Sequence, residues 1–343
     1  MSLPSFILEH TPWENETNPI WPASSFVLHR NLAKYLFPPK LGEMQAGQVS
    51  NLIKESFPSK YFLKAENLTV LDKEFIYEHF LAFEGLQNTL AGQAFIVEES
   101  GEMLAMVNIQ EHLQIELLDT KGEWEKSWSK LSAMDSSLKL DFAFSSRFGY
   151  LTSDPLLCGT GLVVYVYLHL PALIHTGQLE DALAKQKEEE VVATSLLGNL
   201  EDIAGDMIVL TNDCTIGLTE ENILNELHVS AMNLVASEKG LRAHLAKENN
   251  VEIKDQIARS YGLLLNSYQL KTKETLDALS LIKLGIDLGW VKGITDKKIN
   301  EIFFKCRRAH LAYIYKEKAL NPSEAAQKRA DYIHKELGQV TLI

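Results

Sequence analysis

The chain has 343 residues, of which 46% are hydrophobic and 23% charged, with a formal net charge of −13. That length accommodates one large core or two ordinary domains, and the acidic balance argues against a nucleic-acid partner, whose phosphates need a concentrated basic surface. No run approaches a membrane-spanning helix, and the opening "MSLPSFILEHTPWENETNPI" lacks the features of a secretory signal, so a cytoplasmic protein without membrane contact is expected.

Residues 1–40 read as irregular, because Pro4, Pro12, Pro19, Pro22, Pro38 and Pro39 block long helices. Helical patterns follow over Ala46–Ser56 and Leu71–Leu81. "QAFIVEESGEMLAMVNI" reads as two β-runs turning at Ser100-Gly101, and "EHLQIELL" continues the β-character. In "EWEKSWSKLSAMDSSLKLDFAF", Trp124, Trp128, Leu131 and Met134 stand about one helical turn apart, as in an amphipathic helix on a sheet. "LVVYVYLHL" has the bulky, β-branched texture of a buried strand. A helix around Leu179–Lys187, a β-run "DMIVLTN" and a helix over "TEENILNELHVSAMNLVASEKGLRAHLA" complete an α+β unit. The charge run "KQKEEEVV" (Lys185 to Val192) reads as a solvated helix end or loop.

From Val251 the texture is helical only, and the last helix has a clear start in Asn321 as N-cap, Pro322 and Glu324. The expected design is an α+β domain over residues 1–252, an antiparallel β-sheet flanked by helices, followed by an all-helical domain over 253–343. Cys158, Cys214 and Cys306 are widely spaced and odd in number, which suits buried thiols in a reducing compartment. No pair has metal-ligand spacing, so no metal site is expected.

"GYLTSDPLLCGTGL", Gly149 to Leu162, with "HLPAL" after the next strand, resembles the loop of the ATP:guanidino phosphotransferases (creatine and arginine kinases), "GYLTSCP-x-N-x-GTGLRA". "MVNIQEHLQIELL" is similar to that family's "VNEEDHLRIQ", and "ASSFVLHRNLAKYLFP" to its "SSRIRLARNL…FP". In the helical part, "RSYGLLLNSYQLKTKETLDALSLIKLGIDLGWVKGI" resembles the bacterial branch, the McsB-type protein arginine kinases. The resemblance implies the phosphagen-kinase fold and a C-terminal helical dimerisation domain, hence a homodimer. It also implies a small zinc-binding activator protein and Clp-type quality control as partners.

The departures bear on activity. Phosphoryl transfer needs fixed positive charge around the phosphates and a carboxylate to orient the guanidinium. Aligned on the family's patterns, its clamp arginines fall on Ser25, Val27, Gln114, Val163 and Thr194, all neutral. Before Val251 the chain's arginines are Arg30, Arg147 and Arg242, too few to rebuild the clamp. The family's "NEED" glutamates become Ile109 and Gln110, and an amide is no base. The glutamate of its later loop becomes Asn199, with Glu201 nearby as a candidate deputy, and its reactive cysteine becomes Asp154. Cys158 reads as a small buried residue. Glu111 and His112 stand as a residual active-site wall or a satisfied strand-end polar pair, the second being favoured. The branch's phosphoarginine-binding "RDxxRA" is "AAQKRA" here, so Ala325 and Ala326 replace its first arginine and aspartate, and Arg329 is expected on the helix surface.

Scaffold kept and charges gone is the pattern of a pseudokinase. The expectation is therefore a catalytically inactive member acting in protein–protein interaction or regulation, with no catalytic residue, nucleotide site or cofactor. One alternative is an active ATP- and magnesium-dependent protein arginine kinase with a rearranged site drawing on Lys34, Lys40 or Arg30. Another is a module whose old cleft, made apolar by Leu156, Leu157 and Val163, binds a less anionic ligand.

Overall fold

A computed structural model describes residues 3–9, 18–57, 61–82, 90–186 and 190–343. From the N-terminus, α1 (Ser5–Glu9) precedes β1 (Ala23–Arg30), α2 (Glu43–Ser56), β2 (Tyr61–Lys64) and α3 (Val70–Phe80). Strands β3 (Ala94–Val97), β4 (Met103–Val107) and β5 (Leu113–Asp119) lead to α4 (Trp124–Ser137) and the short β6 (Phe144–Ser145) and β7 (Gly149–Tyr150). Next come β8 (Leu162–His169), α5 (Pro171–His175), α6 (Leu179–Ala184), β9 (Val191–Ser195), β10 (Met207–Asn212) and α7 (Glu220–Glu248). The rest is α8 (Val251–Asn266), α9 (Thr272–Asp287), β11 (Val291–Lys292), α10 (Asp296–Lys305), α11 (Arg308–Ile314), α12 (Pro322–Leu337) and β12 (Thr341–Leu342).

Eight strands form one sheet in the order β2-β3-β4-β5-β1-β8-β10-β9, with each neighbouring pair antiparallel. The Ser100-Gly101 turn joins β3 to β4 as expected, with Gly101 at φ +69°. The irregular reading of residues 1–40 fails at its centre. "ASSFVLHR" is β1, buried along its whole length between β5 and β8. Polar Ser24, Ser25, His29 and Arg30 hide it by breaking the apolar alternation, and its partners come much later in the chain. Strands β2 and β9 were likewise outside the sequence reading. β9 takes up the end of the charge run, part of which lies outside the described residues.

Alternation along β1 sorts its side chains between two cores. Phe26 and Leu28 join Val49 and Ile53 of α2, Leu131 of α4 and Leu227 and Leu234 of α7. The opposite face supplies Phe95, Leu104, Tyr167 and Val209 to a second core with Phe75 and Ile76 of α3 and Leu279, Ile282 and Phe303 of the C-terminal helices. Ser25, Val27 and His29 lie on that same face, in register with Gln114 and Glu116 of β5 and Val163 and Tyr165 of β8.

The C-terminal part departs from helices alone, since β11 and β12 pair as a two-stranded ribbon. Helix α12 starts as read from sequence: Glu324 N donates to Asn321 Oδ1 at 2.9 Å and Asn321 N to Glu324 Oε2 at 2.9 Å. Polar junctions fasten these helices to the preceding α+β part. In the first, Glu78 of α3 accepts from His310 Nδ1 at 2.8 Å and from the backbone of Ala309 and His310, while Tyr313 donates to Asp72. The second is a buried network in which Arg242 of α7 donates to Glu238 at 2.7 Å, to His169 O at 2.9 Å and to Asp287 of α9. Glu238 also accepts from the Ala172 and Leu173 amides, and His169 meets Ser280 at 2.7 Å.

Candidate functional site

The loop between β7 and β8 is shaped by its glycines. Gly159 sits at φ +112°, and a Cβ there would lie 2.6 Å from Thr215 O; Gly161 sits at φ +61°, where a Cβ would lie 2.7 Å from His29 O. Most of the amides around this loop are already consumed. Leu157 N, Cys158 N and Gly159 N donate to Asp154 O, Pro155 O and Tyr150 O, and Leu162 N donates to Thr160 Oγ1. Arg30 braces the loop from behind. Its guanidinium stacks on the Tyr150 ring at 3.7 Å, donates to Thr160 O and His29 O at 2.9 Å and pairs with Asp135 at 2.7 Å. Of the alternative cations, Arg30 reaches the loop but is held by these partners, whereas Lys34 is 82% exposed beside Asp141 and Lys40 is exposed.

Strands β5, β1 and β8 bring four of the five expected clamp positions, Ser25, Val27, Gln114 and Val163, onto one continuous face. Thr194 lies farther out on β9, with its hydroxyl oxygen buried and unpartnered. The polar members turn to local partners. Ser25 Oγ donates to Glu116 Oε1 at 2.6 Å, and Gln114 Nε2 donates to Gln110 Oε1 at 3.2 Å. Burial pushes the Glu116 carboxyl up to about 7 against that Ser25 hydrogen bond. Sequence reading passed over Glu116. The signal available was the two-residue period of "LQIEL", which sets it on the same face as Gln114, and the family's "HLRIQ", which has an amide at that place. The remaining cavity is about 40 Å³, lined by Val27, His29, Met106, Gln114, Glu116 and Tyr165 among others. Leu156, Leu157 and Val163 do not line it, and Leu156 is 55% exposed.

Glu111 and His112 form the satisfied pair. Glu111 is buried and accepts from Asn31 Nδ2 at 2.5 Å, Ser153 Oγ at 2.8 Å and Ser153 N at 2.8 Å. Burial still raises its pKa, outweighing these donors. His112 Nδ1 accepts from Leu32 N and its Nε2 donates to Leu36 O, both at 3.0 Å. Burial drives the imidazole down to about 4, so it is neutral with the proton on Nε2. These contacts tie the "YLTS" segment and the residues after β1 to the β4–β5 turn.

The other candidates are dispersed. Asp154 is exposed and caps its own turn by accepting from Leu156 N at 3.0 Å. Cys158 is half-buried, correcting its assignment as a buried thiol, and accepts from Thr152 Oγ1 at 3.4 Å; Cys214 is half-buried too. Asn199 and Glu201 are exposed in the β9–β10 loop, where Asn199 Oδ1 accepts from Asp202 N at 2.8 Å. That loop is fastened to α9, since Gly205 N donates to Asp277 Oδ1 at 2.7 Å and Lys273 approaches Asp202 at 3.5 Å. Arg329 corrects the sequence reading outright: it is 2% exposed, and donates to Cys306 O and Leu270 O at 2.7 Å each. It laces three segments of the helical part together, with Ala325 and Ala326 buried on the same helix. Among the described residues no three His, Cys, Asp or Glu side chains cluster as metal ligands, and no helix is long and apolar enough to cross a membrane.

Residues 42–241 match the model of the ATP:guanido phosphotransferase C-terminal catalytic domain, and residues 250–342 that of the protein-arginine kinase McsB C-terminal domain. A protein-arginine kinase of Chlamydia pneumoniae is 40% identical over 324 residues, covering 91% of this chain and 90% of that one. Its counterpart in Geobacillus kaustophilus is 30% identical over 325 residues, covering 92% and 89%. Among solved structures, lombricine kinase aligns with a TM-score of 0.57 at 16% identity over 66% of this chain and 68% of its own, a likeness of fold alone. The phosphagen-kinase sheet, the "GTG" loop and both family models lead to one conclusion: this chain belongs to the ATP:guanido phosphotransferase family, in its protein-arginine kinase branch.

Proposed function

We propose that this chain is a catalytically inactive protein-arginine kinase homologue that works as a homodimeric interaction or regulatory protein. One observation carries the reading. The face where the family gathers arginines around a triphosphate holds Ser25, Val27, Gln114 and Val163, with Glu116 buried behind Ser25 and about 40 Å³ of space. Among the described residues a triphosphate placed there would meet no cation at the clamp positions, so its developing charge in phosphoryl transfer would go uncompensated. The residues present do not fit magnesium-bound ATP. The helical part is the proposed dimer surface. A small zinc-binding activator protein and Clp-type machinery are the partners the family resemblance suggests.

The second reading, an active kinase with a rearranged site, has one observation in its favour: relatives of up to 40% identity carry the name protein-arginine kinase. Incubation with Mg-ATP and an arginine-rich acceptor protein, followed by mass spectrometry for phosphoarginine, separates the two. The inactive reading expects no phosphoarginine and no shift in melting temperature with Mg-ATP. Phosphoarginine that disappears in Glu111→Gln or Glu201→Gln would overturn it.

A further inference from the structure

The small cavity on this sheet face is bordered by two buried polar atoms without partners and by a buried carboxylate. Gln114 is buried, and with its Nε2 committed to Gln110, its Oε1 has no partner. His29 is 5% exposed and its Nδ1 is also unpartnered. Glu116 is 3% exposed, and its carboxylate accepts from Ser25 Oγ. His29 stands directly opposite Gln114 across the β1–β5 ladder, and Glu116 is two residues further along the same face. Such neighbours lie within about 7 Å of one another. Buried polar atoms left without partners are rare and costly, so two of them beside a buried carboxylate around one cavity mark a place built to receive donors.

We propose that this cavity is a receptor for a primary ammonium group, from a free alkylamine or a lysine side chain. The inference rests on the reading of this face as one that no longer holds a nucleotide. An –NH3⁺ group brings three donors and no acceptor, which matches three acceptors one for one, whereas guanidinium brings five donors in a flat fork. The space suits the compact group: 40 Å³ exceeds the roughly 10–15 Å³ that a single water requires, yet leaves little room for a planar fork. The ligand charge would pair with the Glu116 carboxylate, the one acidic group among the described lining residues. A face that in the family binds an anion would thus be recast to bind a cation.

The groups facing Glu116 are few. Among the described residues these are Ser25, Val27 and His29 of β1, Gln114 of β5, Met106 of β4 and Tyr165 of β8, with Leu81, Ala82 and Gln110 also lining the cavity. Burial and then the Arg30 charge hold His29 down to about 4, so it stays neutral. Burial raises the phenol of Tyr167 on the same strand as Tyr165. Asp154 and Arg30 act on His29, and Arg307 on Tyr167, so the titration that matters between pH 6 and 8 is that of Glu116.

The test is calorimetric titration of the full chain with methylammonium chloride replacing sodium chloride at constant ionic strength. Guanidinium chloride, Nα-acetyl-lysine methylamide and Mg-ATP are run in parallel. Saturable methylammonium binding is expected, about tenfold or more tighter than guanidinium, tightening between pH 6 and 8 as Glu116 ionises. Glu116→Gln should weaken it by about tenfold or more with the Ser25 contact and far-UV spectrum retained, and Gln114→Leu should weaken it less. Binding of the lysine derivative points to a protein ligand, and its exclusion while methylammonium binds points to free amines; both support the site. Absence of saturable methylammonium binding, equal or tighter guanidinium binding, or an unchanged Glu116→Gln affinity would each overturn it. Mg-ATP binding with phosphoarginine formation would instead overturn the inactive-kinase reading, so the two failures are separable.

Discussion

Removing the Arg242 guanidinium should loosen the whole molecule, because it joins α7, β8 and α9 in a largely buried network. In Arg242→Met the Glu238 side chain, 0% exposed, keeps the Ala172 and Leu173 amides but loses its cation. Breaking one side of a buried ion pair costs about 3–5 kcal/mol. Burial already raises the Glu238 pKa against the pull of Arg242, so the orphaned carboxyl can take up a proton and hold the loss near the lower figure. Scaling an unfolding entropy of about 2.1 cal/mol/K per residue to this chain, a loss of about 3 kcal/mol lowers the melting temperature by about 4 °C. Urea unfolding followed by circular dichroism at pH 7 reads the same quantity. The deficit should shrink as pH falls, because burial raises the Glu238 pKa and protonation removes the unpaired charge, and the double variant Arg242→Met/Glu238→Gln should recover at least half of it. A single-variant loss below about 1 kcal/mol, or a double variant as weak as the sum of the two singles, would refute the argument.

Glu116→Gln should stabilise the protein at pH 8 by about 3 kcal/mol and leave it nearly unchanged at pH 4. An acid whose folded pKa is raised to about 7 destabilises the fold progressively as pH climbs from its unfolded value through 7, and paired urea titrations at the two pH values check the sign. Gly161→Ala should cost about 1–3 kcal/mol, because a Cβ at φ +61° meets His29 O at 2.7 Å; a melting temperature within experimental error of the parent would contradict it. Native-state alkylation read by mass spectrometry should label Cys158 first. Burial pushes the Cys306 thiol up to about 12, and the Glu190 hydrogen bond followed by burial pushes Cys214 up to about 11, so Cys306 should react only on unfolding.

Local signals were the legible ones. The β3–β4 hairpin, the β8 strand and the Asn321/Glu324 cap depend on residues within a few positions of one another, and each stands where periodicity and capping chemistry put it. β1 was missed because its burial comes from strands that follow much later, which no window of "ASSFVLHR" contains. Arg329 was misplaced for the same reason: the carbonyls of Leu270 and Cys306 that receive it are brought together only by the fold. At the site, the family pattern located the neutral clamp positions by residue type. It said nothing of their turning to one another, Ser25 to Glu116 and Gln114 to Gln110, which depends on cross-strand register.

The second core gathers Leu3 and Ile7 from one end of the chain and Leu337 and Val340 from the other. On the ribosome, therefore, the sheet face bearing Phe95, Val97, Leu104 and Met106 is synthesised long before the helices that cover it. At about 5–20 residues per second, the interval between the end of β5 and the end of α12 lasts roughly 10–40 s. For that time an apolar, strand-rich surface stands open, and β1 waits for β8 before it can leave solvent. Synthesis order thus exposes the nascent chain to the aggregation that molecular chaperones exist to prevent.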